Sequence, residues 1–448
     1  MSDYTIAVKY AMIFFMVTMA IEWVIGKWMK KSIYNPRDTI SSVSSGMTNN
    51  VKSILKLSVV IISYQWMFDY IKVFEIGSNW YVYIIAFLGI DFAYYWSHRW
   101  NHEFNILWNK HVIHHSSEEF NLACALRQSI SDLFQVYFFL YAPMALVGVP
   151  PKVISILLPL HLFAQFWYHT RLIGRMGFLE HIIVTPSHHR VHHAINEKYI
   201  DKNYASIFIF WDKWFGTFQE ELDDEPPVYG IKKPARTWNP IIINYAHLIQ
   251  LFKDAWNTKK WVNKFKIWFM PTGWRPDDVT LTNPIETIED PYSYEKYDSN
   301  ANPMLLFWSS FQLMVHLAMQ FHLIYLLGYI GKDLAYDQAS FIDILAGYQP
   351  LILYGLFFIL SVWSFTSLMD GSFVMSFPIE ILKTGLGILL IYTYPDVTSI
   401  YESINIPEIY IIAYLSISLL MTIVYSSKKS NWISQLILVK TSYCLVHL

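Results

Sequence analysis

Nine apolar segments dominate this sequence and restrict the folds open to it. A helix needs about 20 apolar residues to cross the roughly 30 Å hydrocarbon core of a bilayer, and most of these segments approach that length. Only 15% of the residues are charged, against about 25% in a typical soluble domain, and 54% are hydrophobic. We therefore predict an all-α, polytopic integral membrane bundle of about nine spans with a cytosolic, histidine-rich helical cap. The segments cover residues 5–26, 54–71, 80–97, 133–149, 153–168, 304–330, 351–368, 379–394 and 409–425.

The basic residues indicate how these spans are oriented. Lys27, Lys30, Lys31 and Arg37 directly follow the first span, which places that loop in the cytoplasm and the amino terminus outside. The connections at 331–349 and 395–407 hold few basic residues, which fits the outer side. We expect the histidine-rich region and the carboxyl terminus to be cytoplasmic, in the endoplasmic reticulum of a eukaryote or the inner membrane of a bacterium.

Polarity divides the chain into four regions. We predict amino-terminal spans over residues 1–78, a histidine-bearing core over 79–225, a cytosolic interfacial segment over 226–302 and carboxyl-terminal spans over 303–448. Within the core, Gly148, Pro150 and Pro151 separate two apolar runs and predict a turn, because proline breaks a helix. That turn returns the chain to the side it left.

Twelve of the sixteen histidines lie between His98 and His193, and eight of them form three clusters. Residues four apart on a helix share one face, so the two histidines of the first cluster can converge on one point. Adjacent histidines such as His114 and His115 point about 100° apart, so each can serve a different centre. Eight imidazoles exceed the needs of one ion, and we predict two metal ions. The clusters are His98 and His102; His111, His114 and His115; and His189, His192 and His193.

Other features limit the class of function. The net charge of −2 argues against a nucleic-acid partner, and two distant cysteines provide neither a disulfide framework nor a CxxC pair. Imidazole binds zinc, copper, iron and nickel, so a membrane zinc hydrolase and a metal transporter remain alternatives to iron-dependent oxygen chemistry. A transporter would hold its ligands near the middle of its spans, whereas these clusters stand at span ends.

The three clusters resemble the three histidine boxes of the fatty acid hydroxylase and sterol desaturase superfamily of membrane di-iron enzymes. The matching segments are HRWNH, HVIHH and HRVHH, which begin at His98, His111 and His189, and the flanking segments IDKNYA and FWDKWFGTF are also similar. The resemblance implies that two irons are held by His98, His102, His111, His114, His115, His189, His192 and His193. It also implies that Glu103, which follows the first box, is required for catalysis.

Within that superfamily, the wider motifs are most similar to members that hydroxylate the ether-bearing carbon of alkylglycerols. The resemblance implies an O₂-dependent monooxygenase that takes a lipid from the bilayer and electrons from tetrahydrobiopterin or from a separate electron donor. Hydroxylation or desaturation of a sterol, a sphingolipid or a fatty acid is the alternative within the superfamily.

Several nearby residues have two interpretations. His169 and His188 are candidate additional ligands or partners of ligands. Arg171 and His181 depart from the superfamily's usual residues and would alter the surroundings of the ligands or the substrate pocket. Arg127 and Gln128 could support the second cluster or bind a substrate oxygen. The remaining candidates for orienting ligands or for packing are Asp91, Asp212 and Gly216, while His316 and His322 are predicted to be packed within a span.

Overall fold

The computed structural model describes residues 3–299, 302–330, 349–394 and 408–428, together with Ile342 and Leu345. Across these residues the chain is helical, and β-pairing is limited to three isolated bridges. The prediction of an all-α chain is therefore confirmed for the described part. The connections that we used for orientation, at 331–349 and 395–407, lie almost entirely outside it, as do the residues beyond 428.

Seventeen α-helices are formed by the described residues. The amino-terminal part contains α1 (Asp3–Trp28), α2 (Pro36–Ile54), α3 (Tyr64–Ile71), α4 (Trp80–Glu103), α5 (Asn105–Trp108), α6 (Val112–His115), α7 (Ala142–Val147), α8 (Pro151–Phe163), α9 (Pro186–His192) and α10 (Phe210–Phe215). The middle part contains α11 (Pro240–Asn257), α12 (Trp261–Lys266) and α13 (Asp277–Thr282). The last part contains α14 (Pro303–Ile330), α15 (Gln349–Met369), α16 (Phe373–Thr393) and α17 (Glu408–Lys428).

By length and composition, five helices in the described residues are able to cross a membrane. They lie within α1 and α14 to α17, at Lys9–Trp28, Pro303–Leu327, Gln349–Met369, Phe373–Thr393 and Glu408–Tyr425. The other four predicted spans do not reach this criterion. They form two helix–turn–helix segments, here called hairpins, that pack on each other, with α3 against α7 and α4 against α8.

The predicted second span is wrong as a continuous helix. Helix α2 ends at Ile54, Lys56 adopts a left-handed backbone conformation with φ of 50°, and α3 begins only at Tyr64. The Ser63 hydroxyl accepts the main-chain N–H of Trp66 and so caps α3. Val59 instead forms an isolated bridge with Phe134. Serine favours such caps over helix interiors, which explains why an apolar segment is interrupted here.

The predicted third span is longer than expected. Helix α4 continues six residues past Ser97 to Glu103, and this extension carries the first histidine cluster. At 1.5 Å per residue its 24 residues extend over about 36 Å. The helix therefore reaches from the apolar region into the histidine-rich cap.

The second hairpin is made of short helices. Its apolar parts are Phe138–Val147 and the 13-residue α8, which is shorter than a membrane-crossing helix. The turn between them is where the sequence predicted it: Gly148 has a φ of 87° at the end of α7, and Pro151 begins α8. A Cβ on Gly148 would also collide with the carbonyl oxygen of Phe74, so glycine is required there.

Helix α2 joins the histidine-rich region to the last helices. Its apolar residues pack with α14 and α15 in the largest hydrophobic cluster, which includes Val51, Leu323 and Phe358. Its opposite side buries serines, among them Ser42 and Ser45, against residues 116–128. The amphipathic α2 therefore holds the cap against the membrane helices.

Candidate metal centre

The histidine clusters are positioned by short helices at the end of α4. His98 and His102 lie one turn apart on α4, with ring centroids 5.3 Å apart. His111 precedes α6 and His115 ends it, while the third cluster occupies the last turn of α9 and the residue after it. The predicted convergence of the three clusters is therefore observed, although α6 is a single turn.

Nine imidazoles form two adjacent groups, and within each group the candidate ligand atoms lie within 4.8 Å of one another. Adjacent histidines are divided as the helical geometry predicts, because His114 and His115 belong to different groups, as do His192 and His193. The groups touch: the rings of His115 and His193 stack with centroids 4.3 Å apart. Group one consists of His98, His102, His111, His115 and His192, and group two of His114, His169, His189 and His193.

Main-chain carbonyls determine which nitrogen of several rings faces inward. The Nδ1 atom of His98 donates to the carbonyl of Tyr204 at 2.7 Å, and that of His192 to Lys202 at 2.9 Å. In group two, His169 donates to Gln165 at 3.0 Å. A carbonyl can only accept, so each Nδ1 carries the proton and each Nε2 keeps a free lone pair. Such partners orient metal-ligating histidines.

The inward nitrogens are arranged as ligands of a cation would be. The Nε2 atoms of His98 and His111 are 2.9 Å apart, and so are those of His169 and His189. Nitrogens bound to one metal at about 2.1 Å are separated by about 3 Å when adjacent. The buried Nε2 atoms of His102 and His192 have no hydrogen-bond partner in the described structure. The donor set therefore fits two metal ions.

Burial keeps the group-two imidazoles neutral. Desolvation lowers the pKa of His169 to about 4 and the pKa of His189 and His193 well below the usual value. Neighbouring histidines lower the pKa of the latter two further. A neutral imidazole is the form that binds a metal.

Arg127 supports the second cluster. It is buried, forms an ion pair with Asp38 at 2.6 Å and donates to the hydroxyls of Ser42 and Ser116. Its carbonyl accepts from Nδ1 of His114 at 3.3 Å. Of its two interpretations, support of a ligand is the one that matches these contacts.

Gln128, next to Arg127, stabilises the loop itself. Its side chain donates to the carbonyl of Ala125, and its main-chain groups bond to the hydroxyl of Ser45. Gln128 therefore joins this loop to α2.

Asp212 and Gly216 support the loop that holds His98. The Asp212 carboxylate accepts the main-chain N–H groups of Tyr204 and Ala205. It thereby fixes the peptide group between these residues, whose carbonyl, that of Tyr204, accepts from His98. Gly216 ends α10 with a φ of 74°, as a tight turn requires. Sequence analysis missed the carbonyls of Lys202 and Tyr204, because a main-chain acceptor leaves no signal in residue identity.

Glu103 and His188 lie outside both histidine groups. On a helix, Glu103 points about 100° away from its neighbour His102, and therefore away from the histidine groups. Its carboxylate instead pairs with Arg99, one turn earlier, at 2.8 Å. His188 accepts the main-chain N–H of Thr185 in a capping box at the start of α9. The structure thus separates His188 from His169, which sequence analysis treated alike.

The two departures from the superfamily pattern have different surroundings. Arg171 pairs with Glu119 at 2.5 Å and donates to the carbonyls of Phe120 and Ile33, so it ties together loops beside group two. His181 is exposed and contacts the ring of Phe178, away from both groups.

His316 and His322 are buried in α14, as predicted for packed residues. His316 donates from Nδ1 to the carbonyl of Gln312, and His322 contacts the hydroxyl of Tyr354. Neither belongs to a candidate metal group among the described residues.

Membrane-length helices joined to two adjacent all-histidine groups define a membrane metalloprotein. A profile of the fatty acid hydroxylase family matches residues 83–217, which contain all nine histidines of the two groups. The chain is 39% identical to the alkylglycerol monooxygenase of Homo sapiens over 315 residues and 35% identical to that of Xenopus tropicalis over 318 residues. These alignments cover 69% and 70% of both chains, respectively. The chain belongs to the alkylglycerol monooxygenase family.

A further relative matches a shorter part of the chain. The ornithine lipid hydroxylase of Rhizobium tropici is 29% identical over 136 residues, which cover 30% of this chain and 41% of the relative. No solved structure matches the chain.

Proposed function

We propose that this protein is an iron-dependent membrane monooxygenase that cleaves the ether bond of alkylglycerols. The observation that carries the proposal is the pair of adjacent, largely buried histidine groups with their lone pairs facing inward. The similarity to alkylglycerol monooxygenases from several animals supports the substrate.

In this proposal each histidine group holds one iron. The first iron would be bound by His98, His102, His111, His115 and His192, and the second by His114, His169, His189 and His193. Bound iron would supply the activation of O₂ that hydroxylation requires. Neutral imidazoles contribute no negative charge, so the chain leaves the ions their positive charge for an anionic oxygen species.

The proposed reaction inserts one oxygen atom into the C–H bond next to the ether oxygen. The second oxygen atom leaves as water, which requires two electrons and two protons from a reduced donor; tetrahydrobiopterin is the donor we propose. The product is a hemiacetal, and its breakdown gives an aldehyde and glycerol. The chain's own residues position the ligands through the carbonyls of Gln165, Lys202 and Tyr204.

We further propose that the histidine groups face the cytoplasm and that residues 1–78, 79–225, 226–302 and 303–448 form the four regions described above. Five helices cross the bilayer individually, and two hairpins enter it from the cytoplasmic side, with α4 long enough to reach the opposite surface. Their adjoining tips carry Lys72, Glu75 and Lys152, which require water or lipid headgroups, so the tips reach the outer surface. This topology suits the endoplasmic reticulum or a bacterial inner membrane.

Turnover of an ether lipid against its ester tests the proposal. Purified protein is incubated with a 1-O-alkylglycerol, O₂ and reduced tetrahydrobiopterin, and aldehyde and O₂ uptake are measured together. We expect one O₂ consumed per aldehyde, and neither product nor uptake with the monoacylglycerol of equal chain length. Hydrolysis of the ester without O₂ uptake would instead support a zinc hydrolase.

Variants of two histidines provide the matched control. His114→Ala removes a member of group two, whereas His181→Ala changes an exposed histidine outside both groups. We expect loss of turnover in the first variant and wild-type turnover in the second. Full activity in His114→Ala would contradict the proposed centre.

A further inference from the structure

A fully buried aspartate and histidine connect α4 to α8 beneath the two histidine groups. Asp91 and His161 are both completely buried, and the Oδ1 atom of Asp91 lies 2.7 Å from Nε2 of His161. The rings of Phe87 and Tyr94 cover this pair. In the part of the chain that the structure describes, neither Asp91 nor His161 belongs to a candidate metal group.

Hydrogen bonds fix the tautomer of His161. Gln165, one turn later, donates its side-chain N–H to Nδ1 of His161 at 3.0 Å, so that nitrogen is an acceptor. The proton of the neutral ring is therefore on Nε2, which donates to Asp91. Asp91, His161 and the Gln165 amide form a directed chain in which each N–H has an acceptor.

The chain ends at a member of group two. The main-chain carbonyl of Gln165 accepts from Nδ1 of His169 at 3.0 Å, and Nε2 of His169 faces the Nε2 atoms of His114 and His189. Gln165 thus contacts His161 through its side chain and His169 through its carbonyl. The Gln165 side chain also donates to the main-chain carbonyl of His161 at 3.3 Å, so loss of the His161 ring should shift Gln165, and with it the carbonyl that orients His169, rather than free it.

Asp91 also contacts the loop that supports group one. Its carboxylate accepts the main-chain N–H groups of Ile207 and Phe208 and the indole N–H of Trp211. These residues follow Tyr204, whose carbonyl accepts from His98. Asp212 holds the same loop independently, through the N–H groups of Tyr204 and Ala205. Of the contacts of Asp91, only the one with His161 therefore leads to group two alone.

We propose that Asp91 and His161 are positioning residues that hold Nε2 of His169 toward the second metal ion. This inference rests on the proposed two-metal centre. Partners of metal-ligating histidines typically change metal affinity by 10- to 100-fold when they are replaced. When His161 is replaced, we expect an effect of about that size at group two and none at group one.

The test compares three variants of buried histidines. His161→Phe keeps a ring but removes both hydrogen bonds, while His161→Gln keeps an N–H that can donate to Asp91. His316→Phe is the matched control, because His316 is equally buried, contacts two phenylalanine rings and lies in α14 outside both groups. Each metal-free protein is titrated with Co²⁺, and the visible absorption of the bound ion is recorded.

For the wild type and His316→Phe we expect two bound Co²⁺ ions. His161→Phe should bind the first ion normally and the second about 10- to 100-fold more weakly, with a changed absorption band, and His161→Gln should recover part of the loss. Unchanged affinity for both ions in His161→Phe would overturn the inference. Equal weakening of both ions, with lower stability than His316→Phe, would also overturn it, because that result indicates a structural role.

A separate readout distinguishes failure of the centre from failure of the inference. If wild-type protein binds fewer than two Co²⁺ ions, the proposed centre is wrong. Hydrogen exchange of the metal-free proteins over residues 164–170 then decides the positioning role. Faster exchange there in His161→Phe than in His316→Phe supports the role of His161, and equal exchange contradicts it.

Discussion

The Nε2 atoms of His114 and His169 face each other at 3.3 Å, although both rings donate their Nδ1 protons to main-chain carbonyls. Two lone pairs at this distance repel unless a positive charge lies between them. Burial opposes protonation of either ring, since the pKa of His169 is lowered to about 4 and that of His114 falls well below its usual value. A metal ion between the two nitrogens would resolve this arrangement, and we therefore propose His169 as one of its ligands.

Replacing His169 with alanine should therefore remove the second metal ion. We expect bound iron to fall from about two to about one per chain, and turnover to fall by more than about 100-fold, because a ligand should matter more than an outer partner. Metal analysis of purified protein measures the first effect. An iron content equal to that of His181→Ala would exclude His169 from the centre.

Replacing His188 with alanine should leave the metal content unchanged. His188 serves the capping box of α9, so its loss should lower the free energy of unfolding by about 1 kcal/mol. Thermal unfolding of the metal-free protein, combined with metal analysis, checks both parts. Loss of one iron at unchanged stability would show that His188 acts as a ligand.

The buried ion pair of Arg127 and Asp38 should stabilise the fold only when both partners are present. Arg127→Met leaves the Asp38 carboxylate buried without its cation, which should cost about 3–5 kcal/mol of unfolding free energy. The double variant with Asp38→Asn buries no charge and should be less destabilised than Arg127→Met alone. Equal stability of the two proteins in thermal unfolding would show that the pair contributes no coupling.

The proposed topology places the tip of the first hairpin at the outer surface. In a background without reactive native cysteines, expressed in the inner membrane of a bacterial host, Ser78→Cys should react with a membrane-impermeant maleimide added outside intact cells, as should Gln349→Cys at the start of α15. Lys30→Cys should react only after the membrane is opened. Labelling of Ser78→Cys solely in opened cells would place the hairpin tip on the cytoplasmic side.

The sequence predicted the histidines of the two groups more fully than the carbonyls and side chains that orient them. Helical spacing was sufficient to divide His114 from His115 and His192 from His193, because adjacent residues on a helix must diverge. It could not separate His169 from His188, since neither belongs to the spaced clusters and only the turns around each residue decide which one points inward.

The features of the fold that the sequence did not predict also depend on contacts between separated residues. Apolar composition identified the segment 54–71 but not its interruption, which depends on the cap at Ser63 and the bridge from Val59 to Phe134. Asp91 was considered as a partner of a ligand, yet its contact with His161 depends on how α4 and α8 pack. Such contacts join residues 70 positions apart and leave no local pattern.

Iron content measured with Mössbauer spectroscopy on purified, ⁵⁷Fe-enriched protein tests the central claim most directly. We expect about two irons per chain in nitrogen-rich environments, one for each histidine group. A single iron per chain, or zinc in place of iron in active protein, would contradict the account.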